Sequence, residues 1–154
     1  MSESFHVPTL PQPVTLLLAS GDEEEVTVYL ADSSAKHGGP ESLEEFLNSE
    51  RRFFPIKRKS GHSALIRRRA VVHVRVAADT FVQSRRESAT MPAIDLVRVR
   101  MDNGSELDGV LLHVDRVGHE RLSDTFNEPA DFFAIEVANG VVYVNKHHVV
   151  SLSL

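Results

Sequence analysis

The chain of 154 residues is long enough for one medium domain or two small ones, and too short for an enzyme with separate cofactor and substrate domains. Apolar residues make up 42% and charged residues 25%, a balance that supports a buried core, while the absence of cysteine excludes disulfides, thiolate zinc sites and a cysteine nucleophile. The net charge of −5 conceals three zones: −9 over residues 1–50, +10 over 51–86 and −6 over 87–154. Such a chain either folds its own charges together or presents a basic stripe to an acidic partner.

The opening MSESFHVPTLPQP has no basic stretch leading into an apolar run, so residues 1–12 read as an N-terminal extension rather than a secretion signal. No apolar run approaches the roughly 20 residues of a membrane-spanning helix. The expectation is a cytoplasmic protein with no membrane partner.

The first predicted elements are strands over Val14–Ala19 and Val26–Leu30, with the acidic Asp22–Glu25 run as the solvated turn between them. Ser42-Leu43-Glu44-Glu45 then matches a capping box, and Leu43, Phe46 and Leu47 fall on one face of a short helical turn. Asn48 sits where that turn stops and is expected to cap it in a left-handed conformation. Phe53, Phe54 and Ile56 form the next strand, and a hairpin of Ala64–Arg67 with Val71–Val76 closes the unit. Residues 77–92 have weak periodicity and end in Pro92, which marks a linker.

The same order then recurs. Strands Ile94–Met101 and Leu107–Val114 flank Asn103-Gly104, a tight-turn pair. Val97, Val99 and Met101 would face a core while Arg98 and Arg100 face out. Residues 122–136, LSDTFNEPADFFAIE, echo residues 43–57, LEEFLNSERRFFPIK, at a constant spacing of 79. Leu43 aligns with Leu122, Asn48 with Asn127, Phe53 and Phe54 with Phe132 and Phe133, and Ile56 with Ile135. Further on, Gly61 aligns with Gly140 and Val71 with Val150. A closing hairpin pairs Val141–Asn145 with Val149–Leu154, in which Val150, Leu152 and Leu154 would be the half-buried set.

The fold expected is therefore mainly β: two tandem five-stranded small β-barrels, each with a short helical turn inserted between strands two and three. The domains are a first barrel over residues 13–76, the linker 77–92 and a second barrel over 93–154, packed as a pseudo-twofold pair.

The closing segments carry a family resemblance. Ala64-Leu65-Ile66-Arg67-Arg68-Arg69-Ala70-Val71 resembles the second signature of Sm-like proteins, in which a strand ends in Ile-Arg-Gly before a tight turn and an apolar last strand. Val144-Asn145-Lys146-His147-His148-Val149-Val150 is a looser version, and Leu107–Val114 after Asn103-Gly104 resembles the first signature. The paired block is also similar to uncharacterised small bacterial proteins. The resemblance implies an Sm-like or SH3-like barrel shape. The family's glycine is replaced by Arg68 in one copy and His147 in the other, and its base-holding aspartate–asparagine pair has no counterpart, so RNA chemistry does not follow from shape.

Candidate sites are few. Arg51, Arg52, Lys57, Arg58, Lys59, Arg67, Arg68 and Arg69 form the set expected to meet a partner or nucleic acid, with salt-dependent affinity if that partner carries phosphates. Leu43, Asn48, Phe53, Phe54, Ile56, Gly61 and their counterparts Leu122, Asn127, Phe132, Phe133, Ile135 and Gly140 read as shared architecture. One Phe of each pair could instead reach a partner, because adjacent strand residues face opposite sides. His113, His119, His147 and His148 have no recognised zinc spacing, and Ser123-Asp124 near His119 fits the helical turn better than a catalytic set. No glycine-rich phosphate loop or nucleophile elbow is present. The expectation is a non-catalytic protein-binding or assembly module (an adaptor or scaffold) without metal or cofactor. Its partner would be another protein or a second copy; the alternative is an Sm-like protein that binds RNA or single-stranded nucleic acid.

Overall fold

The computed structural model describes residues 9–33, 38–77, 95–112, 123 and 126–153. The first half contributes β1 (Thr9–Leu18), β2 (Glu23–Ala31), α1 (Leu43–Leu47), β3 (Phe53–Arg58), β4 (Ser63–Arg67) and β5 (Val71–Ala77). The second contributes β6 (Asp95–Met101), β7 (Glu106–Leu112), β8 (Phe132–Val137), β9 (Gly140–Asn145) and β10 (Val149–Ser153). All ten strands lie in one antiparallel sheet in the order β10-β6-β7-β8-β9-β5-β1-β2-β3-β4. The protein is mainly β, as expected, but the halves join in one open sheet rather than standing as two closed barrels.

The closing hairpins do not form. A three-residue 3-10 turn, Arg68–Ala70, separates β4 from β5 and turns the chain away. Strand β5 returns to pair with β1, leaving β4 on the outer edge. In the second half Lys146–His148 does the same, and β10 pairs with β6. The halves meet where β5 pairs with β9, from His73↔Val144 to Ala77↔Gly140. This seam joins the last strand of one half to the fourth strand of the other, so the arrangement is head-to-tail and replaces the expected pseudo-twofold packing; a twofold would pair equivalent strands.

Local chemistry explains several elements. Ser42 Oγ accepts from Glu45 N–H at 3.1 Å while Glu45 Oε1 accepts from Ser42 N–H at 3.1 Å, the reciprocal box that starts α1. Leu43, Phe46 and Leu47 are buried beneath it. Asn48 ends the helix at φ −95°, so the left-handed cap is not used. Val97, Val99 and Met101 are buried, while Arg98 and Arg100 point out to Asp108 and Glu106. The expected acidic turn moves: Glu23 opens β2, and the tight turn is Ala19–Gly21, with Gly21 at φ 96°. Strand β1 begins at Thr9, so residues 9–12 belong to the sheet rather than to an extension. Ala77 closes β5; residues 78–92 of the linker, and Leu122, lie outside the described residues.

The duplication is written in backbone hydrogen bonds. Leu18 N–H donates to Asp22 C=O at 2.9 Å and Met101 N–H to Ser105 C=O at 2.9 Å. Ala19 N–H donates to Ala70 C=O, and Asp102 N–H to His148 C=O. Arg68 N–H donates to Arg52 C=O, and Lys146 N–H to Asp131 C=O. The β1·β5 ladder skips Val72 between Leu17 and Leu18, and the β6·β10 ladder skips Val150 at the matching place. Equivalent residues differ by 83 in the first two strands, by 79 in β3 and β8, and by 78 from β4 and β9 onward.

The last change corrects two alignments. The β3–β4 hairpin turns at Lys59-Ser60-Gly61, with Gly61 at φ 91°, whereas Val137↔Gly140 closes β8–β9 over two residues. Gly61 and Gly140 are therefore not equivalent, and Val71 matches Val149 rather than Val150. Val150 is 62% exposed instead of half-buried because it sits at the bulge that the β6·β10 ladder skips, on a strand with no second neighbour among the described residues; Leu152 keeps its half-buried place, and Leu154 lies outside the described residues.

Candidate functional site

The phenylalanine pairs divide by face. Phe54 is buried against Phe46 of α1, ring edge to face, at 5.5 Å between centroids; Phe133 meets Phe126 in the same way at 4.5 Å. The outward partners differ: Phe53 is 51% exposed and Phe132 only 2%. Phe132, Ala134, Val141 and Tyr143 pack into the core of the first half, and Val72 packs into the core of the second. Asn48 ties the seam by accepting from Phe132 N–H at 2.7 Å and donating to Phe132 C=O at 3.3 Å. The repeated asparagine thus has a reason beyond capping, one that sequence could show only as a repeat.

The seam ends in polar contacts. Arg68 pairs with Asp131 at 2.8 Å, and His147 Nε2 lies 3.3 Å from the same carboxylate. Asn145 donates to Val71 C=O at 3.0 Å, and His148 bridges Asp102 and Arg69 C=O. Lys146 is half-buried and donates to Glu128 C=O, and burial pushes its pKa down against the pull of Glu128 and Asp131. Beside these groups opens a cavity of about 500 Å³ lined by Arg52, Phe53, Arg67, Arg68, Arg69, Asp131, Asn145 and His147.

The basic segment is consequently not one face. Arg58 pairs with Glu24 at 2.8 Å and Lys59 with Glu25 at 3.0 Å, so the tip of the β3–β4 hairpin is neutralised by β2. Lys57 lies beside them and pairs in register with Thr27. The other group gathers at the opposite end of the hairpin, about 17 Å away at roughly 3.3 Å per strand residue. There Arg68 is committed to Asp131, whereas Arg52, Arg67 and Arg69 make no ion pair among the described residues. Arg51 lies next to this group in sequence and is exposed, also without an ion pair among the described residues. Three guanidinium groups without an ion pair among the described residues, beside an exposed phenyl ring, can bind an anion carrying a planar group.

Both ends of the sheet are open. Among the described residues strands β4 and β10 each have one neighbour, and the large exposed apolar residues include Leu65 (68%) on β4 and Val150 (62%) on β10. Such edges are templates for another strand unless protected. Among the described residues no group of three or more His, Asp or Glu side chains converges as for a metal ion; His113 and His119 lie outside them. No described helix is long and apolar enough to cross a membrane. The chain matches no protein-family model, no curated protein and no solved structure.

Proposed function

We propose that the protein is a non-catalytic assembly module that engages partners through strand addition at its two open sheet edges. Each half is read as a strongly bent five-stranded unit of Sm-like shape, with its helical turn inserted before the third strand. The observation that carries the reading is the pair of edges, β4 and β10, that take no second strand among the described residues, with Leu65 and Val150 exposed on them. Strand addition supplies main-chain hydrogen bonds, and the exposed side chains supply selectivity. Affinity capture with the full chain and with Leu65→Asp tests this: edge-dependent partners vanish from the variant's profile, and identical profiles overturn the reading.

A second reading rests on the arginine cavity. Arg52, Arg67 and Arg69 would hold phosphates while Phe53 stacks on a base, as single-strand binders do. With three phosphates neutralised, the logarithm of affinity would fall with the logarithm of salt with a slope of about −2. Titration of a fluorescent single strand at two salt concentrations, with Arg67→Glu and Arg69→Glu, measures this. Binding that ignores both salt and substitution removes it.

A further inference from the structure

The seam between the halves supplies a template for what covers the open edges. In it, β5 of the first half takes β9 of the second, and the unused equivalents of those two strands are β10 and β4. We infer that the open edges are complementary to each other, so that β10 of one chain accepts β4 of a second copy in the register of the internal seam. This rests on the assembly reading and names the partner.

The register follows from the structural equivalences. His73↔Val144 becomes Ser151↔Ile66, Val74↔Tyr143 becomes Leu152↔Leu65, and Arg75↔Val142 becomes Ser153↔Ala64. Exposure supports it. Tyr143 and Phe132 are buried at the internal seam, and their equivalents Leu65 and Phe53 are 68% and 51% exposed. Val72 on the other side of the seam is fully buried, and its equivalent Val150 is 62% exposed. Three of the large exposed apolar residues are therefore the counterparts of residues the seam covers. The same holds for the core: Phe132, Ala134 and Tyr143 complete the first half's core, whereas the corresponding end of the second half, at Val149 and Leu152, is only partly covered. Phe53, Pro55 and Leu65 of a second copy would complete it. Asn127, exposed and equivalent to Asn48, donates its side-chain amide to Ser123 C=O at 2.8 Å in the single chain; on assembly it would turn from that contact to grip the backbone of Phe53 as Asn48 grips Phe132.

One contact does not repeat. The Arg68–Asp131 ion pair of the internal seam becomes Lys146 facing Arg52, two like charges. The joint between copies is therefore weaker than the internal seam, and salt strengthens it by screening, opposite to phosphate binding. Because the joint is head-to-tail, growth ends in a ring if the successive rotations close and in a filament if they do not.

Sedimentation velocity on the full chain at two salt concentrations tests this. Species larger than the monomer are expected, increasing with protein concentration and with salt. Leu65→Asp blocks one edge and Val150→Asp the other, and each alone yields monomer; circular dichroism checks that both exposed-site variants stay folded. Mixed together, they form a dimer of two chains through the one intact pair of edges. Leu10→Asp, exposed on β1 in the interior of the strand order and next to neither edge strand, leaves assembly unchanged. A wild-type chain that stays monomeric, or a mixture that stays monomeric, overturns the inference. If that monomer still captures another protein in a Leu65-dependent way, the assembly reading survives alone; if it does not, both fall.

Discussion

His73 provides a sharp test of how the seam is built. It lies on β5 opposite Val144, is 5% exposed, and its Nδ1 has no hydrogen-bond partner. Burial, reinforced by the Arg75 charge and opposed by Glu23 and a backbone hydrogen bond, lowers its pKa from 6.5 to about 4. The unfolded chain therefore binds a proton between those values that the folded chain does not, and stability rises with pH across that window. The contribution is intact above pH 6.5 and is lost as pH falls toward 4, to a limit of about 3 kcal/mol at 1.36 kcal/mol per pKa unit. His73→Leu removes the titration and the unpaired ring nitrogen, and the latter adds about 1–3 kcal/mol at neutral pH if the leucine packs. Urea unfolding of both proteins at about pH 7.5 and about pH 4.5 isolates the effect, because carboxylates not coupled to His73 contribute equally to both and cancel in the difference. The wild type should lose about 2–3 kcal/mol more than the variant on acidification. Parallel losses in the two proteins would refute the claim that this imidazole is held neutral at the seam.

Four other substitutions, at Asn48, Phe54 and Phe53, separate the roles of the repeated residues. Asn48→Ala removes both hydrogen bonds to Phe132 and should cost about 1–3 kcal/mol in thermal unfolding, with Asn48→Asp losing less because it keeps the acceptor for Phe132 N–H. Phe54→Ala should cost about 3–5 kcal/mol through the cavity it leaves. Phe53→Ala, at an exposed position, should change the stability of the isolated chain by no more than about 0.5 kcal/mol. Equal losses at the two phenylalanines in denaturant unfolding would contradict the division of faces.

Local elements were legible because their causes are local. Ser42 and Glu45 satisfy each other's backbone N–H within one turn, so the capping box announces α1 by itself. Alternation around Val97, Val99 and Met101 reveals which side of β6 is buried, and the twin phenylalanines, held at one spacing, reveal the duplication. Alignment failed past the β3–β4 turn, where losing one residue from the equivalent hairpin leaves the identical letters Gly61 and Gly140 at unlike positions. The basic stripe was visible as composition, but which of its members find an ion-pair partner among the described residues was not. Arg58 and Lys59 meet Glu24 and Glu25, far earlier in the chain, and Arg68 meets Asp131 far later.

From its amino acids alone this protein is a mainly β chain made of two related units without cysteine chemistry, because side-chain alternation, caps and recurrence are properties of short stretches. Only the folded sheet decided that the units join head-to-tail rather than about a twofold, which outward residues the join covers, and which edges stay open. Strand pairing is set by backbone groups common to every sequence, so its partner choice depends on turns and cores formed by residues far apart along the chain.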